Sequence, residues 1–148
     1  MKRQTDDCRA FLESYRELRS EAARLRQKHR RLQDQATRVT TQISGMPHGG
    51  GADREKLLAA LADADGEAVR KMTEAVERQQ EIEAFIDRVP TPISRVILRH
   101  RYAEAMGWRE VERALAKSQW VYSLDHIYRL HGIALREARE VWKESGNG

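Results

Sequence analysis

The sequence predicts an all-α fold, a long antiparallel coiled-coil hairpin followed by a small three-helix module. Three observations predict it. Two long stretches keep apolar residues at alternating steps of four and three. A glycine-rich break separates them, and Val89-Pro90-Thr91-Pro92 closes the second. After the prolines come three shorter helical patterns, the last behind a serine suited to capping a helix.

The 148 residues suffice for one domain, or for one small domain with an appended helical element. They carry 27 Lys and Arg against 23 Asp and Glu, with 40% hydrophobic residues and only 6% aromatic ones. A mean hydropathy of −0.76 implies a polar surface and a thin core, which suits long narrow helices. Cys8 is the only cysteine, so an internal disulfide and a multi-cysteine zinc site are excluded, and a reducing cytoplasm is the expected compartment. The longest apolar run, residues 57–62, falls far short of the roughly 20 residues that span a bilayer, and no apolar segment follows the basic start as a signal peptide requires. No membrane partner is expected.

In the first arm of the hairpin (domain 1–89) the seam is Phe11, Tyr15, Leu18, Ala22, Leu25, His29, Leu32, Ala36, Val39 and Ile43. The segment Gly-Met-Pro-His-Gly-Gly-Gly at 45–51 is the expected loop, because Pro47 lacks an amide and glycine backbone is costly to order. The second arm repeats the spacing at Leu58, Leu61, Asp65, Ala68, Met72, Ala75, Gln79, Ile82, Ile86 and Val89. Arms joined so shortly fold back antiparallel.

Charge agrees, since residues 1–44 sum to +5, residues 45–89 to −4 and residues 90–148 to +3. A register in which paired residue numbers sum to about 94 sets Tyr15 against Gln79 and His29 against Asp65, so the polar seam positions meet. A polar residue in a seam fixes register, and that role suits His29 better than metal ligation. The basic run from Arg24 to Arg31 has the look of a nucleic-acid patch, but on this arm it reads first as a charged flank facing an acidic partner helix.

Domain 90–148 holds helical patterns over residues 93–105, 108–117 and 123–142, with Gly107 between the first two. Ser123 is a good N-cap, with Asp125 and His126 in the first turn behind it. The third helix has a core stripe of Ile127, Leu130, Ala134 and Ala138, flanked by Leu124 and Leu135. At about 100° per residue, Asp125, Arg129, Gly132 and Arg136 fall on the opposite side.

Catalytic signatures are missing. No phosphate-cradling glycine loop, His-Glu-x-x-His motif or nucleophile elbow occurs. His126 and His131 are five apart and diverge by about 140° on a helix, so they do not form an i, i+4 ligand pair. Glu81 and Glu83, like Glu110 and Glu112, are two apart and point to different sides. No enzyme activity, metal or cofactor is expected.

Three short helices, the second anchored by an aromatic residue and the third capped, describe a helix-turn-helix, whose last helix enters the DNA major groove. The residues themselves sharpen this. Ile97-Leu98-Arg99-His100-Arg101-Tyr102, then Trp108-Arg109-Glu110-Val111, then Tyr-Ser-Leu-Asp-His-Ile-Tyr-Arg-Leu-His-Gly-Ile-Ala-Leu-Arg from Tyr122 resemble the region-4-like domain of sigma factors. Within that class the chain is most similar to small phage and prophage transcriptional regulators of the ArpU and RinA type, which join a long helical N-terminal part to such a module. The detailed likeness covers residues 89–139, and the hairpin is similar in layout, including its Met-Pro loop.

The resemblance implies a sequence-specific DNA-binding regulator of late phage genes in the host cytoplasm, acting on double-stranded DNA at a promoter with RNA polymerase as a further contact. It places Ser123, Leu124, Asp125 and His126, then Tyr128 and Arg129, at the groove, and Arg136 lower, near phosphate. Arg129 can bond a guanine edge or a phosphate, Asp125 can accept from cytosine, Leu124 can touch a thymine methyl and Tyr128 can reach the backbone. Asp125 and Arg129 are equally an i, i+4 pair able to satisfy each other. Arg95 and Arg99 give the module's first helix a basic side suited to flanking phosphates, whereas Arg101, beside Tyr102, suits a structural role.

Two features depart from the family. The stretch from Ala116 to Val121 is about four residues longer, nearly one helical turn, so either the scaffold helix extends or the turn swells around Trp120. Leu124 and Tyr128 stand where primary sigma factors carry longer polar or basic side chains, which argues against an ordinary promoter element. A lone module makes few phosphate contacts, so a homo-oligomer through the hairpin is expected. The competing reading is a coiled-coil adaptor, or a phage assembly or packaging component, in which the helix-turn-helix is a packing unit.

Overall fold

A computed structural model describes residues 6–43 and 51–147, with side chains described over 6–38 and 51–146. The helices run α1 (Asp7–Ile43), α2 (Gly51–Ile86), α3 (Pro92–Leu98), α4 (Trp108–Lys117) and α5 (Leu124–Trp142), with π-helical segments Arg99–Ala103 after α3 and Lys143–Asn147 after α5. No strand occurs among the described residues, and the fold is all-α as the sequence predicts. The expected loop lies outside the described residues except for Gly51, which opens α2. The side chains of Val39 and Ile43 also lie outside them.

The chain divides into two compact units, Leu18–Ala75 and Met1–Glu17 with Val76–Gly148. That differs from the boundary at residues 89 and 90 drawn from the prolines, and the reason lies in the second unit's core. There Cys8 and Leu12 of α1, Ile82, Phe85 and Ile86 of α2, and Ala134, Leu135, Ala138 and Val141 of α5 form one buried cluster with Val89, Leu98, Tyr102 and Ala103. Phe11 packs edge-on against Phe85 at 5.5 Å and at a tilt of 38° against Trp142 at 5.2 Å. Gln79 donates to the Ala103 carbonyl at 2.8 Å and Arg78 to the Ser14 hydroxyl at 2.8 Å.

In the unit Leu18–Ala75, the covered positions of α1 include Leu18, Ala22, Leu25, His29, Leu32 and Ala36, which is the expected seam. On α2 the expected seam holds at Leu61, Ala68, Met72 and Ala75 and shifts by one residue at Leu58 and Asp65. Leu57, Leu61, Ala64, Ala68, Met72 and Ala75 are covered, while Leu58 is 49% exposed and Asp65 is exposed. Turning Ala64 inward leaves the Asp65 carboxylate hydrated, which avoids the cost of burying a charge. From that rim Asp65 stands 3.8 Å from His29 Nε2, so the expected register pair forms. The Arg24 to Arg31 run forms an exposed charged flank of α1, and of its residues only His29 has an ion pair to α2 among the described residues. The cross-arm ion pairs among the described residues are His29–Asp65 and Lys71–Glu21, and in the second α1 supplies the acid.

The second cluster joins α3, α4 and α5: Ile97, Val111, Leu115 and Ile127 are fully buried, with Ile93, Val96, Met106, Trp108, Trp120, Tyr122 and Leu130 packed around them. Burial of each such aliphatic side chain is worth about 1.5–3 kcal/mol. The helix expected over 93–105 is interrupted: α3 stops at Leu98, and the Glu104 amide bonds back to the Arg99 carbonyl at 2.9 Å across a wider turn. That turn lets the consecutive residues Tyr102 and Ala103 both be buried. The long connection after α4 resolves as a swollen turn. α4 ends at Lys117, Gln119 takes a positive φ of 69°, and the Trp120 amide bonds to the Leu115 carbonyl at 2.9 Å.

Candidate nucleic-acid interface

α5 begins where the sequence places it. The Ser123 hydroxyl accepts from the His126 amide at 3.2 Å, which satisfies one of the free donors of the first turn. The helix then buries Ile127, His131, Ala134, Leu135, Ala138 and Val141, and this fixes its rotation. Asp125, Tyr128, Arg129, Ile133 and Arg136 are exposed on the other side.

Several outward groups are held in place by neighbours. Tyr128, 44% exposed, rests edge-on against Trp108 at 5.2 Å. His126 is half-buried edge-on against Tyr122 at 4.8 Å, and Leu124 is half-buried beside it. Trp108 is in turn clamped by the Arg101 guanidinium, 4.5 Å above its ring, and Arg101 donates to the Met106 carbonyl at 2.9 Å. The structural role expected for Arg101 is what the fold gives it.

Asp125 and Arg129 form no ion pair within 4 Å, and neither does Arg136 among the described residues. The i, i+4 alternative is therefore not realised. Gly132 lies between Asp125 and Arg136 along this side, and a Cβ added there would meet nothing within 4 Å.

The two residues of the module's first helix behave differently from the expectation. Arg95 Nη1 donates to the carbonyls of Val89 and Pro90 at 2.7 and 2.8 Å, which ties the proline link to α3. Arg99 pairs with Asp87 at 2.8 Å. Both serve the junction between α2 and α3, so they are poor candidates for phosphate. Glu137 does comparable work from α5, accepting from the Ser94 hydroxyl at 2.6 Å and the Thr91 amide at 3.1 Å, and those bonds hold its carboxyl below the usual range against the opposing effect of burial. Arg139 grips Asp6 through two nitrogens at 2.9 and 2.6 Å.

Sequence reasoning passed over the outer edge of α4. Arg109, Arg113 and Lys117 recur every four residues and all three are exposed; Arg109 makes only a 3.6 Å contact with Glu112. In a helix-turn-helix the first helix crosses the DNA backbone, and that i, i+4 basic repeat was the signal available. Among the described residues no cluster of His, Cys, Asp and Glu could hold a metal ion, and no helix is long and apolar enough to cross a membrane. No family model, curated protein or solved structure matches the chain.

Proposed function

We propose that the chain is a sequence-specific DNA-binding transcription regulator of the sigma region-4-like kind, acting on late phage genes in the host cytoplasm by binding rather than catalysis. One observation carries the reading. A capped helix, rotated by its own core, turns Asp125, Arg129 and Arg136 outward without ion-pair partners, beside a braced Tyr128. Charged groups left uncompensated on one helix face suit base edges and phosphates. RNA polymerase and a second copy of the chain are its proposed protein partners.

The test is selection of bound fragments from the source genome, followed by fluorescence anisotropy on the enriched duplex at about 50 mM salt. Arg129→Ala with Arg136→Ala is expected to weaken binding about tenfold or more, since one good base contact alone carries about 1–3 kcal/mol. No enrichment, or unchanged binding by the double variant, would sink the reading and favour the coiled-coil adaptor.

A further inference from the structure

The hairpin unit Leu18–Ala75 carries a surface that the helix-turn-helix does not explain. Residues Arg24, Lys28, Arg31 and Arg38 fall within about 80° of one another around α1 and span about 21 Å of its length. All four are exposed, and a shallow groove lined by Lys28, Arg31, Asp34 and Arg38 runs along this side, while a second on the neighbouring side is lined by Arg24, Arg26 and Arg30 with Ser20, Ala23 and Gln27. The acidic arm leaves them unpaired. Arg24 reaches Glu21 of its own helix at 3.9 Å with 73% of its side chain in solvent, and no described acid pairs with Lys28, Arg31 or Arg38.

Charge density indicates what fits. Arg24, Lys28 and Arg31 set three cations in about 10.5 Å, and each strand of a duplex carries a phosphate every 3.4 Å or so along the duplex axis, which is about three phosphates alongside the same length of axis. Arginine also suits phosphate better than lysine because its fork donates in pairs. Along residues 74–81 of α2, Glu74 and Glu81 already pair with Lys71 and Arg78 at 3.3 and 3.6 Å, so a second copy of the hairpin offers an acidic row that is partly compensated.

We propose that this edge of α1 is a second nucleic-acid surface, which takes the phosphodiester backbone of duplex DNA. It supplies sequence-independent contacts beyond those of α5, and in that respect it rests on the DNA-binding reading above.

The test uses the full chain and a labelled duplex of about 30 base pairs, with binding followed by anisotropy from about 50 to 200 mM salt. Arg24→Glu, Lys28→Glu and Arg31→Glu together are expected to reduce the salt slope of log K by about 2.7, three contacts at about 0.9 each. Arg24→Lys with Arg31→Lys is expected to keep the slope. If the charge-reversed chain loses helicity by circular dichroism, the triple Gln variant takes its place with the same expectation. An unchanged slope in a folded variant overturns the proposal, as does loss of self-association by light scattering at unchanged slope, which would make an acidic protein surface the occupant. A reduced slope here, with no effect of the Arg129 and Arg136 substitutions, would leave this surface standing and remove the α5 reading.

Discussion

Acid should destabilise the unit that carries α5, and His131 gives the size of its share. Its side chain is 8% exposed, its Nε2 lies 2.7 Å from the Tyr102 hydroxyl, and its ring meets Trp108 edge-on at 4.7 Å. Burial, assisted by the positive charges of Arg9, Arg101 and Arg139, pushes its pKa down from 6.5 to about 4. The unfolded chain therefore binds a proton near pH 6.5 that the folded chain refuses until about pH 4. Stability is full above pH 6.5, falls as pH drops through that window and levels off below it. At 1.36 kcal/mol per pH unit the loss is about 3 kcal/mol, a large part of a small domain's stability.

Urea unfolding at pH 7.5, 5 and 4 measures it, with His131→Gln as the comparison. The variant is expected to be about 1–2 kcal/mol less stable at pH 7.5, since it loses ring packing and alters the bond to Tyr102. It should also lose the part of the acid slope between pH 6.5 and 4. Asp6 and Glu137, whose folded pKa values are lowered, stabilise at neutral pH and lose that contribution as pH falls through the carboxylate range, but both proteins share them. Equal slopes in the two proteins over that window would refute the reasoning.

Gly132→Ala is expected to stabilise the chain by about 0.5–1 kcal/mol, because a helix-interior glycine with open space around its missing Cβ costs backbone entropy and gains no packing. The same change should weaken binding to the selected duplex by lifting the helix from its partner, so a thermal shift upward with unchanged anisotropy would remove any role for Gly132 in close approach. Cys8 is 2% exposed and its thiol is pushed up to about 11 by desolvation, so at pH 8 it should resist iodoacetamide in the native chain and react promptly in urea. Rapid native labelling would show that the base of α1 opens readily.

Legibility in the sequence followed the locality of the force at work. The α1 seam from Leu18 to Ala36 was readable because polar residues on both sides leave one apolar line, and Ser123 was readable because its cap bonds three residues away. The choice of Leu57 and Ala64 over Leu58 and Asp65 on α2 was not. Residues 57–62 read Leu-Leu-Ala-Ala-Leu-Ala, apolar in every direction, so periodicity cannot choose between Ala64 and Asp65, and the charge decides only once a partner helix is present. Cys8, Leu12 and Val141 entered the core through contacts between α1, α2 and α5 that no single helix pattern contains. Arg95 and Arg99 resembled phosphate ligands because their acceptors, two carbonyls and Asp87, come within reach only after the chain turns at Pro90 and Pro92.

Those arginines also show why net charge was a weak guide to the interface. The C-terminal third sums to +3, but Arg95, Arg99, Arg101 and Arg139 are committed to carbonyls, carboxylates or the Trp108 ring within the fold. Arg99 and Arg139 are neutralised by carboxylates, whereas Arg95 and Arg101 keep their charge, but moving any of the four to a phosphate would require breaking bonds already made. Arg113, Arg129 and Arg136 carry no such commitment among the described residues. The same sorting on α1 leaves Lys28, Arg31 and Arg38 free. A nearly balanced chain thus exposes two groups of cations without ion-pair partners among the described residues. If the proposed DNA binding holds, its salt dependence counts only the free ones, so the slope of the unsubstituted chain, compared with those of the two variant sets, would assign phosphates to each proposed surface.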